Sequence, residues 1–160
     1  MRNDPSRLRE LRRCLILDSA AERVYDDLVG LLAAGLEVPI AMVSLLDETR
    51  DWFKSSVGVP FQESPAATSF CERFFHTTKD LILVEDTAKD PLFAAHPLVV
   101  NAPFIRFYVA ARLDVDGRTL GTLCAYDVKP RAISAEQVEQ VRALALTAIE
   151  LLKQRSRAAA

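Results

Sequence analysis

The chain has 160 residues, half of them hydrophobic, a size that suits one domain with a substantial core. Its 20 basic side chains face 22 acidic ones, for a formal net charge of −2, which excludes a basic field for nucleic acid. The three cysteines, Cys14, Cys71 and Cys124, are widely spaced with no Cys-x-x-Cys pair, which speaks against a disulfide framework and for a reducing, cytoplasmic setting. No apolar run approaches the roughly 18 residues of a membrane span, so neither a membrane nor a nucleic acid is an expected partner.

The first predicted helix runs from about Ser6 to Leu17, with Leu8, Leu11 and Leu15 on one face. A second starts at Ser19, where Ser19-Ala20-Ala21-Glu22 has the form of a capping box, and ends before Val38-Pro39. Ile40–Leu46 is a nearly continuous apolar run after a proline and reads as a central strand covered on both faces. Asp47–Arg50 turns the chain, and Trp52–Val57 reads as the returning strand. Residues 58–67 read as loop. Ser69-Phe70-Cys71-Glu72 is a second capping-box pattern, opening a short helix with Phe70, Cys71, Phe74 and Phe75 at i, i+4 spacing. Leu81–Val84 is a short strand. Residues 85–103 are too long and too apolar for a plain turn, and irregular segments of this length are usually functional or disordered; Leu92, Phe93, Leu98, Val99, Val100 and Phe104 speak against disorder.

The clearest local signal is a hairpin, Arg106–Val115 and Arg118–Val128, around Asp116-Gly117, the composition of a type I′ turn. A two-residue turn predicts the pairs Val115–Arg118, Leu113–Leu120, Val109–Cys124 and Phe107–Tyr126. On the opposite face it predicts Arg112–Gly121, Tyr108–Ala125 and Arg106–Asp127, with Ala110, Gly121 and Ala125 leaving room for close approach. Which face lines a pocket stays open. The last helix opens at a third capping box, Ser134 with Gln137, and runs to about Arg157. It carries two apolar stripes, Val141, Leu144, Ala148 and Leu151, and Val138, Ala145, Ile149 and Leu152, wide enough to pack on a sheet and on a partner. The order implies an α+β fold, with an antiparallel sheet of about five strands, the terminal helices on one face and the insert on the other.

An ordered set of short stretches carries a resemblance: residues 38–47 and 52–55, Ser69-Phe70-Cys71, Val84-Glu85-Asp86, Asp90-Pro91-Leu92-Phe93, residues 105–108 and Leu120-Gly121-Thr122-Leu123-Cys124. Together, from about Ser19 to Leu152, they resemble the GAF domains of bacterial sensor kinases and diguanylate cyclases. The resemblance implies a PAS-like sheet with a small-molecule pocket between sheet and insert, and a role in signal transduction. It divides the chain into an N-terminal dimerisation and signalling helix (1–18), the GAF domain with its C-terminal helix (19–157) and a tail (158–160). It implies a homodimer through Leu8, Leu11, Leu15, Val141, Leu144, Ala148 and Leu151, and an output domain or kinase as partner.

The expected pocket set is Trp52, Lys54, Ser69, Phe70, Cys71, Phe74, Asp86, Phe93, Phe104, Arg106, Tyr108 and Cys124, and the ligand is not named by the sequence. For several of these the residues also have a plainer reading. Arg106 is either an anion anchor or the cross-strand ion partner of Asp127, the second being favoured. Lys54 reads as an exposed lysine as well as a ligand contact. Asp86 suits a turn cap, and Cys71 and Cys124 suit small buried hydrophobes. Leu92 stands where bilin-carrying relatives place a cysteine, so a covalent bilin cofactor is not expected. His76 and His96 are not at metal-ligand spacing with each other or with a cysteine, and no metal site is expected. A sensory module that is not itself an enzyme is the leading expectation. The alternatives are an enzyme resembling free methionine sulfoxide reductase that uses Cys71, and a degenerate GAF domain serving as an interaction or dimerisation module.

Overall fold

A computed structural model describes residues 1–159; the last residue of the expected 158–160 tail lies outside them. Helix α1 spans Pro5–Arg13, with proline in its first turn and Asp4 at the N-cap accepting a hydrogen bond from the Arg7 amide at 2.8 Å. It stops short of the expected Leu17. Leu15 (φ 51°) and Asp18 (φ 60°) adopt left-handed backbone that a helix cannot continue.

Helix α2 spans Arg23–Leu36 and has Glu22 at its N-cap without a side-chain cap. The expected Ser19–Glu22 capping box does not form. Ser19 Oγ instead donates back to the Ile16 carbonyl at 2.6 Å, and the Glu22 carboxylate pairs with Lys54 and Arg155. The helix ends at Glu37, whose left-handed φ of 55° lets its N–H reach the Ala33 and Ala34 carbonyls.

Six strands follow: β1 Ile40–Leu46, β2 Arg50–Val57, β3 Glu63–Pro65, β4 Leu81–Val84, β5 Phe107–Val115 and β6 Arg118–Asp127. They form one antiparallel sheet in the order β3-β2-β1-β6-β5-β4. The sixth strand is β3, which the sequence offers only as loop. It is three residues long and ends in Pro65, which an edge strand tolerates because its missing N–H would face outward.

Two bulges reset the register. Between Val43 and Ser44 the β1–β2 ladder skips Lys54, since Val43 pairs with Ser55 and Ser44 with Phe53. In the β5–β6 hairpin, Val115 faces Arg118 as expected, but Asp114 then pairs with Thr119 and Leu113 with Gly121, leaving Leu120 as the extra residue. The expected pairs are thereby displaced by one. Tyr108 faces Tyr126 rather than Ala125, Val109 faces Ala125 rather than Cys124, Phe107 faces Asp127 rather than Tyr126, and Arg112 faces Thr122 rather than Gly121. The expected grouping of Ala110, Gly121 and Ala125 is split, because a one-residue slip turns every β6 side chain to the other face.

Helix α4, Ala135–Ala158, opens with the expected capping box: Gln137 N donates to Ser134 Oγ at 3.1 Å and Ser134 N to Gln137 Oε1 at 2.8 Å. The terminal helices cover one face of the sheet. That core includes Leu11, Leu28, Leu32, Phe107, Val109, Leu113, Val141, Ala148 and Leu152. The insert covers the other face with 3-10 turns at Ala66–Thr68, Phe70–His76 and Thr87–Lys89 and a short helix α3 at Pro97–Val100. There Met42, Leu46, Phe53, Phe70, Phe74, Phe93, Tyr108 and Cys124 pack together.

This layering corrects the expected dimer seam. Leu8, Leu11, Val141 and Ala148 are buried inside the chain, where each large side chain contributes about 1.5–3 kcal/mol to folding. Leu144 and Leu151 are half-buried against the same core, and only Leu15 stands exposed.

Candidate functional site

A cavity of about 370 Å³ lies between the sheet and the insert. Ile40, Met42 and Ser44 reach it from β1, Asp51 and Phe53 from β2, Glu63, Ser64 and Pro65 from β3 and Tyr126 from β6. The insert closes it with Val59, Phe61, Thr68, Ser69, Phe70, Leu98, Pro103 and Ile105. Alternation along β1 explains the division of labour. Ile40, Met42 and Ser44 point to the cavity, while Ala41, Val43 and Leu45 point to the helices.

One end of the cavity is polar. Asp51 is 5% exposed, and its Oδ2 accepts a hydrogen bond from Ser69 Oγ. Its Oδ1 lies 2.9 Å from Arg2 Nη1 yet has no aligned hydrogen bond, because Nη1 donates to the Asp47 carbonyl at 2.8 Å and the Arg50 carbonyl at 3.5 Å. Ser44 Oγ is also buried without a partner. Burial is the largest influence on the Asp51 carboxyl and pushes it above the usual carboxylate range against the pull of Arg2 and Ser69.

An aromatic wall stands at the other end. The Phe70 ring stacks on His96 (centroids 4.2 Å) and Phe93 (5.4 Å), and meets Tyr108 (5.2 Å) and Tyr126 (5.6 Å). His96 Nδ1 accepts from the Leu98 amide at 3.0 Å, so the ring is neutral there, and burial pushes its pKa down. Behind the wall, Cys71 Sγ lies 3.1 Å from both Tyr108 Oη and Thr122 Oγ1, and burial raises Tyr108 and Cys124 well above their ordinary values.

Of the twelve residues expected in the pocket, only Ser69 and Phe70 line the cavity. Cys71, Phe74, Phe93, Tyr108 and Cys124 form the buried layer behind it. Trp52 and Lys54 lie on the helix side. Lys54, the extra residue of the β1–β2 bulge, points like Trp52 to the helix side and reaches the linker between α1 and α2, where its Nζ donates to Ser19 Oγ (2.8 Å) and the Ala20 carbonyl (2.6 Å) and pairs with Glu22 (2.6 Å). Lys54 is thus neither a ligand contact nor an exposed lysine. Arg106 pairs with Asp86 at 3.1 Å rather than with Asp127, which is taken by Arg131. Asp86 caps its turn as expected, accepting from the Ala88 amide at 3.1 Å. Phe104 is exposed at the end of the insert.

The lining residues that sequence reasoning missed are chiefly Ser44, Asp51, Phe53 and Tyr126. Ser44 is the one hydroxyl within the apolar β1 run, and strand alternation from Ile40 was signal enough to place it with Met42. Among the described residues no group of three or more His, Cys, Asp or Glu side chains is gathered closely enough to hold a metal ion, and no helix is long and apolar enough to cross a membrane.

A six-stranded antiparallel sheet, terminal helices on one face and a cavity under an irregular insert on the other define a small α+β domain with one layer of helices and one irregular layer. The chain belongs to the GAF domain family, whose model matches residues 7–149. It is 35% identical over 123 residues to a cyclic di-GMP phosphodiesterase of Pseudomonas aeruginosa PAO1, a match covering 76% of this chain, and it spans about a fifth (21%) of that relative's length. A domain assigned to a two-component sensor histidine kinase of Sinorhizobium meliloti 1021 has a similar structure, with TM-score 0.66 and 18% identity over 88% of this chain and 96% of that one. So does the type II free methionine-R-sulfoxide reductase of Thermoplasma acidophilum, with TM-score 0.64 and 14% identity over 82% and 92%. These comparisons place the chain among GAF domains of signalling proteins. They also overturn the expectation that it is no enzyme. A relative with 35% identity is named as a phosphodiesterase, and the same fold carries a reductase, so neither relatedness nor fold sets this chain apart from catalysis.

Proposed function

We propose that this chain is the ligand-sensing module of a longer signalling protein. In this reading the cavity between sheet and insert takes a small molecule, and the terminal helices pass its occupancy to an output unit. The observation that carries it is the cavity itself. It is about 370 Å³ and apolar over most of its wall, with two lining residues, Ser44 and Asp51, each carrying an unbonded buried oxygen, and small-molecule sites generally combine an apolar wall with few polar groups. The degenerate alternative, a pocket filled by its own aromatics, is less favoured because the aromatic wall leaves this space open. The methionine sulfoxide alternative loses its attacking group, since Cys71 is buried behind Tyr108 and does not line the cavity.

The relative's activity makes a unit acting on cyclic di-GMP the proposed output partner. The three free, buried thiols suit the cytoplasm. A homodimer is proposed through exposed apolar residues of the helical layer, Leu15 in the α1–α2 linker, Val24 and Leu31 on α2 and Leu146 on α4, rather than through the buried leucines.

Native mass spectrometry of freshly purified protein, beside a thermal-shift screen of Met42→Trp, tests the sensing role. A retained small mass, or ligand stabilisation that Met42→Trp abolishes by filling the cavity, supports it. Stabilisation that persists in Met42→Trp overturns the assignment of the cavity.

A further inference from the structure

The unpartnered atoms and the charge balance at the polar end identify the kind of ligand. We propose that the cavity selects a small molecule with a ring-bearing apolar body and a positively charged, hydrogen-donating nitrogen head seated on Asp51 and Ser44. The inference rests on reading the cavity as the sensing site.

Three observations converge. The first is the charge of the lining, where Asp51 and Glu63 are the charged residues and no lysine or arginine reaches the wall. The second is the shortage of cations around them. Arg2 bridges Asp51 (2.9 Å) and Glu72 (2.7 Å), and Arg50 alone serves Asp18, Asp47 and Glu63. Arg7 lies beside Arg2, but it spends its hydrogen bonds on the Arg2 and Thr119 carbonyls. Five carboxylates thus share two directly paired guanidiniums. With Asp51 and Glu63 the charged residues of the lining, that imbalance favours a cation over an anion at this end of the cavity.

The third observation is chemical. Three buried polar side-chain atoms lack a hydrogen-bond partner among the described residues: Asp51 Oδ1 and Ser44 Oγ, both on residues that line the cavity, and Nη2 of Arg2, which does not line it and whose Nη1 already pairs with Asp51. An ionised carboxylate only accepts, and a hydroxyl accepts as readily as it donates. A ligand ammonium donating one N–H to each would satisfy both, and a buried polar atom left unpaired is costly. Away from this end the wall is Met42, Phe53, Phe61, Leu98 and Ile105, with the Phe53 and Phe61 rings packed on one another at 6.1 Å, an apolar surface suited to a ring-bearing body. A phosphodiester such as the one named for the relative's activity has the wrong charge for this cavity, so the molecule sensed differs in class from the molecule the output unit acts on.

The test uses the whole chain and three probes of one shape: tryptamine (cation), 3-methylindole (neutral) and indole-3-propionate (anion), followed by thermal shift and isothermal titration calorimetry. Tryptamine is expected to bind at least tenfold more tightly than 3-methylindole, with indole-3-propionate weakest. Asp51→Asn and Ser44→Ala are expected to erase the tryptamine advantage and leave 3-methylindole unchanged. Ser44→Ala changes no charge and keeps the test valid if Asp51→Asn disturbs Arg2. If 3-methylindole and indole-3-propionate bind and tryptamine does not exceed them, the head-group proposal is wrong and the cavity reading stands. If no probe binds, both fall.

Discussion

Asp51 is a carboxylate that folding pays to bury, and its stability signature has a definite sign. Burial holds its folded pKa above the ordinary value of 3.8, so the folded state favours the protonated acid more than the unfolded chain does. The charge therefore costs stability above the folded pKa, and the cost fades as pH falls toward 3.8. Asp51→Asn keeps an acceptor for Ser69 and is expected to raise Tm at pH 7, with the gain shrinking on acidification and gone below pH 3.8. Thermal unfolding across pH checks this, and a lower Tm for the variant at pH 7 would mean that the Arg2 contact outweighs desolvation. Gly121 is the second residue whose effect is set by contact. A Cβ there would lie 2.2 Å from the Ser44 carbonyl oxygen, which is backbone and cannot swing aside. Gly121→Ala is expected to cost about 1–3 kcal/mol by overpacking, read as a drop in denaturation midpoint, and to displace Ser44 from the cavity. The importance of Ser44 and Asp51 was only half visible in the sequence. Ser44 follows from strand alternation, but Asp51 falls between the Asp47–Arg50 turn and the strand expected from Trp52, and its place in β2 shows only once Ser64 of β3 is found to pair with it.

Among the elements, capping and register separate what local sequence decides from what it cannot. Three Ser-x-x-Glu/Gln patterns promise three capping boxes, and only Ser134 closes one. Ser19 is drawn back to Ile16 by the left-handed linker, and Ser69 is drawn away to Asp51, because a tertiary acceptor competes with a local amide. Ser134→Ala should therefore cost about 1 kcal/mol of stability, whereas Ser19→Ala removes no helix cap and should show no capping loss; urea midpoints of the two variants decide it. The hairpin turn at Asp116-Gly117 was legible because Gly117 (φ 78°) and Asp116 (φ 51°) need the left-handed backbone those residues tolerate. The bulge three residues on was not. Nothing in Leu113-Asp114 or Thr119-Leu120 announces that Thr119 Oγ1 will donate to Asp114 Oδ1 at 2.8 Å and leave Leu120 unpaired. On β2, simple alternation already puts Trp52 and Lys54 on the helix side with Phe53 between them facing the insert, and the β1–β2 bulge at Lys54 only keeps Ser55 on the helix side as well, where it donates to Asp26.

At the scale of the molecule the layers were readable in advance, because amphipathic terminal helices and a central strand apolar on both faces leave few ways to bury both. The partner surface was not, since the same leucine stripe serves the chain's own sheet as readily as a second helix. The α4 side chains that face the sheet, Val141, Ala145, Ala148 and Leu152, are buried, whereas Leu146 is 68% exposed on the outer side, with Glu139 and Glu150 about it in sequence. Leu31 on α2 is 57% exposed. If copies pair through this layer, these outward leucines gain burial and the core ones change nothing. Leu146→Glu combined with Leu31→Glu is then expected to convert a dimer to a monomer in light scattering at about 100 µM while leaving the thermal unfolding of dilute protein unchanged, because exposed substitutions away from packing typically stay within about 0.5 kcal/mol. Leu11→Glu should instead unfold the chain, since it places an unpaired charge in the core. A wild-type protein that is already monomeric at that concentration would remove the dimer from the mechanism and leave signal transfer to the chain's own terminal helices.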